Sequence, residues 1–243
     1  MIDTVLFDLD GTLARFSQKA FIDAYFGELA KVFVRMGMDA ELSIKAVWAG
    51  TKSMYLNDGA KTNAARFWET FGEVLKLDSE QIRVVEDACD SFYTNEFNAV
   101  RSIVRHSDVP ARLVRELAAK GYVVALATNP LFPECAVESR LGWIGLEASD
   151  FAHITHYSNS SFCKPNLSYY NEVLSAIGKP PERCVMIGNN PAEDMIAGEL
   201  GMQTLLVTDC LENEAGEDIS GFRQGSLAEL ETCLMPLLAI GKA

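Results

Sequence analysis

Asp3-Thr4-Val5-Leu6-Phe7-Asp8-Leu9-Asp10-Gly11-Thr12-Leu13 is the stretch on which the fold turns. Thr4 to Phe7 form a short apolar run of residues that suit a pleated surface, and they predict a buried strand. Two carboxylates follow, two positions apart, and then a glycine. Residues i and i+2 of a strand point to the same side, so Asp8 and Asp10 can face one cavity together. Gly11 lets the chain turn away with no side chain filling that cavity. Close carboxylates repel one another and need a cation, and hard oxygen donors on a turn suit Mg²⁺. An isolated acidic pair more often ends a strand as a plain solvated turn, so its meaning depends on the rest of the chain.

At 243 residues the chain is long enough for one large domain, or for a core with a smaller insertion. It is 49% hydrophobic and 23% charged, the balance of a globular protein and not of a disordered one. A net charge of −13 opposes nucleic acid and anionic lipid, which are held by Lys and Arg neutralising phosphates, and neither is expected as a partner. It does not oppose a small anionic substrate, which feels the local field of its pocket. The six cysteines are scattered with no C-x-x-C pair, and the histidines number three, which argues against a zinc site; a disulfide framework is not expected in a chain this large with no export signal. The N-terminus has no basic region or long apolar run, and no stretch of about 20 apolar residues occurs. A reduced, cytoplasmic protein without a membrane span is expected.

From Arg15 to about Val100 helical spacing replaces the strand signal. Phe21, Tyr25, Leu29, Val32 and Phe33 make one apolar stripe, with Ser17 placed to cap its helix. Further helices are predicted near 40–55, 62–77 and 79–97. The stretch reads as a mainly helical unit inserted after the first strand, with Trp48, Trp68 and Phe71 as its own core.

Beyond Arg101 strands and helices alternate. A helix over 109–120, closed by Gly121, precedes a strand over 122–127 that delivers Thr128, Asn129 and Pro130 at its tip. A helix near 133–141 and a weaker strand around 153–157 lead to a polar loop with Cys163-Lys164-Pro165. A helix over 167–177 is followed by a strand over 183–187 ending in Gly188-Asn189-Asn190-Pro191-Ala192-Glu193-Asp194. A short helix over 195–200 and a strand over 203–207 come next. Ser226 with Glu229 predicts a capping box for the last helix, which Pro236 should bend. This alternation predicts an α/β fold, a parallel sheet with helices on both faces.

In such sheets ligands bind beyond the carboxyl ends of the strands. Asp8, Asp10, Thr128 and the 188–194 segment all follow apolar strands, so they converge on one crevice, and Lys164 can reach it from its loop. A phosphate group needs an in-line nucleophile, positive charge on its oxygens and a proton for the leaving group. Asp8 is the candidate nucleophile, Asp10 the candidate acid and base, Thr128 a hydroxyl donor and Lys164 a fixed charge. Each taken singly has a plainer role, Thr128 at a strand end, Lys164 on a solvated loop, Asp194 capping a helix. Their joint arrival at one sheet edge is what chance does not readily supply.

Asp8-Leu9-Asp10-Gly11-Thr12, Ala127-Thr128-Asn129, Lys164-Pro165 and Gly188 through Asp194, before Gly201-Met202, resemble in order the four motifs of the haloacid dehalogenase superfamily. The helical insert is similar to the cap of the subgroup containing phosphoglycolate phosphatase and β-phosphoglucomutase. The resemblance implies a Rossmann-like core over 1–14 and 101–243 and a cap over 15–100. It implies Asp8 as nucleophile and metal ligand, and Asp10 as acid and base with its backbone carbonyl on the metal. Thr128 and the Asn129 backbone would bind phosphoryl oxygens, and Lys164 would steady Asp8 and the phosphate. The metal, Mg²⁺, would be held by Asp8, Asp10, Asn189 and Asp194. The sequence departs from the family at Asn189, where an aspartate is usual; an amide oxygen can coordinate Mg²⁺ but brings no charge. The expectation is a Mg²⁺-dependent phosphatase acting on a small phosphorylated metabolite through an aspartyl-phosphate. A phosphomutase of the same chemistry and a non-catalytic phosphate-binding scaffold with a weakened metal site stay open.

Overall fold

The structure, a computed structural model, describes residues 2–239, without the side chains of 233 and 235–239. Its strands are β1 (Thr4–Phe7), β2 (Val123–Leu126), β3 (His153–Ile154), β4 (Cys184–Gly188), β5 (Gln203–Val207) and β6 (Gln224–Gly225). They form one parallel sheet in the order β3-β2-β1-β4-β5-β6, a Rossmann-like arrangement. β1 lies at the centre: Val5 pairs with Val124 on one side and with Val185 on the other. All four of its residues are buried, as a strand covered on both faces requires.

The helical unit after β1 comprises α1 (Gln18–Arg35), α2 (Ala40–Tyr55), α3 (Asn63–Leu75) and α4 (Ser79–Thr94), then a 3₁₀ segment over Glu96–Ile103. Ser17 caps α1, its hydroxyl accepting the Ala20 N–H at 3.3 Å. All five residues of the predicted stripe on α1 are buried. The two connections to the sheet meet where the Arg105 N–H donates to the Arg15 carbonyl at 2.8 Å.

The remaining helices are α5 (Val109–Ala119), α6 (Glu134–Trp143), α7 (Leu167–Ile177), the single turn α8 (Pro191–Asp194) and α9 (Leu227–Ala239). The period of two along each strand divides the core. Val5, Phe7, Val124, Leu126, Val185 and Ile187 face α5, α6 and α9, through Leu113, Leu141 and Leu230 among others. Leu6, Ala125 and Met186 face α7 through Tyr169, Tyr170 and Val173. The first cluster runs without a break into the helical unit, where Phe97 packs on Trp143 with ring centroids 4.8 Å apart.

Two strands, β3 and β6, differ from expectation. β3 has two residues and not five: after Ile154 the Thr155 N–H makes one more bond, to the Leu126 carbonyl at 3.1 Å, and the Thr155 hydroxyl donates to the Thr128 carbonyl at 2.7 Å. The short helix expected over 195–200 is present as a 3₁₀ helix. β6 is a two-residue edge strand with no apolar run to announce it. The capping box at the last helix forms, with the Ser226 N–H donating to Glu229 Oε2 at 2.8 Å and the Glu229 N–H to Ser226 Oγ at 3.3 Å. The bend at Pro236 falls among side chains outside the described residues. Among the described residues no helix is long and apolar enough to cross a membrane. Cys89, Cys135, Cys163, Cys184 and Cys210 are free thiols.

Candidate active site

The hydrogen-bond ladder continues one step beyond the central strands. The Asp8 N–H donates to the Ile187 carbonyl at 2.9 Å, and the Ala127 N–H to the Phe7 carbonyl at 2.7 Å. The tips of β1, β2 and β4 are thereby held at one level, and Asp8, Thr128 and Asn189 emerge together. All three line a single cavity of about 210 Å³, with Asp10, Asn129 and Asp194.

Lys164 joins them from the loop before α7, with only 1% of its side chain exposed. Its Nζ donates to Asp8 Oδ1 at 3.0 Å and to Asp194 Oδ1 at 2.6 Å. Burial opposes its charge, but the Asp194 and Asp8 carboxylates outweigh burial and hold its pKa well above the ordinary lysine value. The second Asp194 oxygen accepts the Asn190 N–H at 3.0 Å. Gly188 makes this possible, since any side chain there would collide with the Asp194 carboxylate. Burial raises the Asp194 pKa to about 6, with Lys164 pulling it down and Asp8 adding to the rise.

Asn189 is almost wholly buried, and both ends of its amide are engaged. Oδ1 accepts the Thr12 hydroxyl at 3.0 Å, and Nδ2 donates to the Cys210 carbonyl at 2.7 Å. The amide lies against Gly11, whose φ of +82° and lack of a Cβ both exclude another residue there.

Asp10 has a partner that sequence reading did not single out. The buried Arg140 guanidinium on α6 pairs with Asp10 Oδ2, lies 4.5 Å from the Phe132 ring centroid, and donates through Nε to the Ala136 carbonyl at 3.2 Å. Asp10 Oδ1 and Arg140 Nη2 are buried without a protein partner. Burial raises the Asp10 pKa to about 6, against the pull of Arg140 and with a push from Asp8. The signal for Arg140 lay in helical spacing: Ala136, Val137, Arg140 and Leu141 share the buried face of α6.

Thr128 is fixed through its own carbonyl, which accepts the Thr155 hydroxyl at 2.7 Å and the Tyr169 hydroxyl at 2.9 Å. The Asn129 amide reaches Glu193 Oε2 at 3.0 Å and the Tyr55 hydroxyl of α2 at 3.3 Å. Two further carboxylates line the cavity: burial raises Glu193 to about 7 and Glu212 to about 8, and nearby carboxylates add to both shifts. Glu212 lies beyond β5, in a loop with no sequence motif to mark it.

The donor set suits a hard cation. Asp8, Asp10, Glu193, Asp194 and Glu212 face two buried cationic side chains, Lys164 and Arg140, and every candidate donor is an oxygen. Among the described residues no three His, Cys, Asp or Glu side chains gather as a ready-made metal cluster.

The far end of the cavity is aromatic. Trp48, Trp68 and Phe71, expected as the core of the helical unit, all line it. Phe71 is also core, but Trp48, its ring 5.1 Å from the Phe26 ring centroid to centroid, is 49% exposed. The unit's cations lie elsewhere: Lys61 pairs with Glu69 at 3.0 Å, Arg66 with Asp58 at 2.6 Å, and Lys52 is exposed.

A family model for haloacid dehalogenase-like hydrolases matches residues 2–200. No curated protein matches the sequence. Among solved structures, a HAD phosphatase from Thermococcus onnurineus is 17% identical over 96% of this chain and 98% of that one, with a TM-score of 0.59. A 2-haloacid dehalogenase from Pseudomonas syringae is 21% identical over 98% and 100%, with a TM-score of 0.60. CbbY from Rhodobacter sphaeroides, in complex with phosphate, is 21% identical over 95% and 96%, with a TM-score of 0.57. At these identities the likeness to solved structures speaks for the fold alone.

Proposed function

This chain belongs to the haloacid dehalogenase-like hydrolase family, and we propose that within it the chain is a Mg²⁺-dependent phosphatase acting on a small phosphomonoester. The observation that carries the reading is the buried Asp8–Lys164–Asp194 chain at the sheet end of the cavity. Lys164 orients one Asp8 oxygen, leaving the other to attack phosphorus in line. As the bond from phosphorus to the leaving oxygen breaks, Asp10 gives that oxygen its proton, and the phosphoryl group rests on Asp8 as an aspartyl-phosphate. Asp10 then takes a proton from water as its oxygen attacks phosphorus, releasing phosphate and restoring Asp8. A pKa near 6 suits a group that must both give and take a proton. Thr128, with the Asn129 backbone, holds phosphoryl oxygens, and Lys164 balances their charge. Asp8, Asp10, Asn189 and Asp194 are the residues that would hold Mg²⁺, which when bound supplies positive charge to the phosphoryl oxygens. The helical unit over 15–100 serves as the cap, and the Ala14–Ser17 and Glu96–Arg105 connections as its hinges.

The test is p-nitrophenyl phosphate turnover with and without Mg²⁺, joined to trapping of a phosphoryl group on Asp8. Metal-dependent turnover with a trapped acyl-phosphate is expected; turnover that survives loss of the Asp8 carboxylate would overturn the reading. A second reading, a phosphate-binding scaffold without turnover, is favoured by the two hydrogen bonds that engage the Asn189 amide. Phosphate binding with no turnover of any ester would select it.

A further inference from the structure

We propose that the leaving group of the substrate is an uncharged apolar alcohol, a single ring or a branched chain. The inference rests on the phosphatase reading above and concerns the part of the substrate that the sheet does not touch. The cavity is continuous from Asp8 and Thr128 to a chamber walled by Phe21, Tyr25, Leu29, Val47, Trp48 and Phe71. Among its described lining residues there is no lysine, arginine or histidine. Its charged groups are carboxylates, and they stand at the phosphate end.

Three consequences follow from that wall. A second phosphate or a carboxylate on the leaving group would leave water for ring faces, with no cation among the described lining residues to receive it. A polyhydroxylated leaving group would find Gln18, Thr51 and a few tyrosine hydroxyls, with the Tyr25 and Tyr93 hydroxyls already engaged with each other, and would press its remaining hydroxyls on ring faces, losing hydrogen bonds it makes in water. An apolar leaving group loses nothing by entering and gains the contacts of the rings. The cavity of about 210 Å³ exceeds the roughly 150 Å³ in which an apolar cavity holds benzene, so a ring with a short arm fits.

The experiment compares kcat/KM of the full chain with Mg²⁺ on 2-phenylethyl phosphate, glycerol 3-phosphate and 2-phosphoglycolate. These have alkyl leaving oxygens, so the advantage of an aryl oxygen is absent, and p-nitrophenyl phosphate is the activity control. Apolar pocket contacts discriminate by roughly 10–200-fold, so 2-phenylethyl phosphate should lead by at least about tenfold. Trp48→Gln should reduce that lead several-fold through KM, and its half-exposed position keeps the fold out of question. Thr51→Lys, which sets an ammonium in the wall, should move preference toward 2-phosphoglycolate by about tenfold or more. Turnover of p-nitrophenyl phosphate with no lead for 2-phenylethyl phosphate would overturn this inference and leave the phosphatase reading standing. A protein that turns over none of the four would overturn the phosphatase reading, and the inference with it.

Discussion

On one side of the cavity the sheet presents charge, and on the other the helical unit presents rings. The sheet side is built from strand tips that the ladder holds at one level, and its polar groups are buried and engaged: Lys164 with two carboxylates, Arg140 with a third, Asn189 with two partners. The helical side is held by packing among Phe21, Tyr25, Phe67, Trp68 and Phe71, with ring centroids 5.0 to 5.9 Å apart in the closest pairs. Buried ionic networks are costly to break and fix one geometry, whereas apolar walls tolerate changes of shape. On the proposed function the two sides divide the labour, with bond-making on the rigid polar side and choice of substrate on the adaptable apolar side.

The largest effect is expected at Asp8. Asp8→Asn should lower kcat by on the order of 10⁴-fold or more, as loss of a nucleophile does elsewhere. Lys164 keeps Asp194 at 2.6 Å, so the melting temperature should change little. Steady-state turnover and a thermal melt on one preparation check both halves; retention of more than a few per cent of activity would remove Asp8 as nucleophile.

Lys164→Met should fail in the opposite manner, losing stability as well as activity. It leaves Asp8 and Asp194 buried without their cation, and breaking a buried pair costs about 3–5 kcal/mol. Urea unfolding should show this loss. A variant as stable as the parent would mean that the network is solvated, and the polar side would lose its claim to rigidity.

Arg140 carries the next effect. Its guanidinium holds one oxygen of Asp10 from behind the Phe132 ring and does not itself line the cavity, so it acts by positioning. Arg140→Gln should lower kcat by up to about 10²-fold, the cost of roughly 1 Å of misplacement, with KM little changed. The loss should be larger on an alkyl phosphate than on p-nitrophenyl phosphate, whose leaving group needs less protonation. Equal losses on both would make Arg140 a structural residue only.

The polar side was largely legible in the sequence because strand tips carry short motifs. An apolar run followed by Asp8 and Asp10, or by Thr128, or by Gly188, states where its side chains emerge once the sheet is known to be parallel. Arg140 was less legible, since its partner lies 130 positions away and its helix spacing shows only that it is buried. Glu212 had no motif at all. The apolar side misled for a physical reason: a ring that packs in a core and a ring that walls a cavity obey the same helical period. Trp48 and Phe71 therefore looked alike, although 49% of one and 1% of the other is exposed.

The smallest effect, and the finest test of the polar side, is at Asn189. Asn189→Asp places a second anion near Asp8, and a cation held there should gain from it. Changes around metal ligands shift affinity by roughly 10–100-fold, so Mg²⁺ should bind at least about tenfold tighter, or about 1.4 kcal/mol. The same change carries a cost without metal. The amide donates to the Cys210 carbonyl at 2.7 Å, and a carboxylate would set two acceptors against each other. An unsatisfied buried polar group costs about 1–3 kcal/mol, so the metal-free variant should melt below the parent. Mg²⁺ should then raise its melting temperature more than it raises the parent's, because binding to the folded state alone stabilises it in proportion to affinity. Calorimetric titration and melts across a Mg²⁺ series separate the two effects. A variant with the parent's Mg²⁺ constant and a lower melting temperature would make Asn189 a structural bridge between Thr12 and Cys210, and metal binding would fall to Asp8, Asp10 and Asp194.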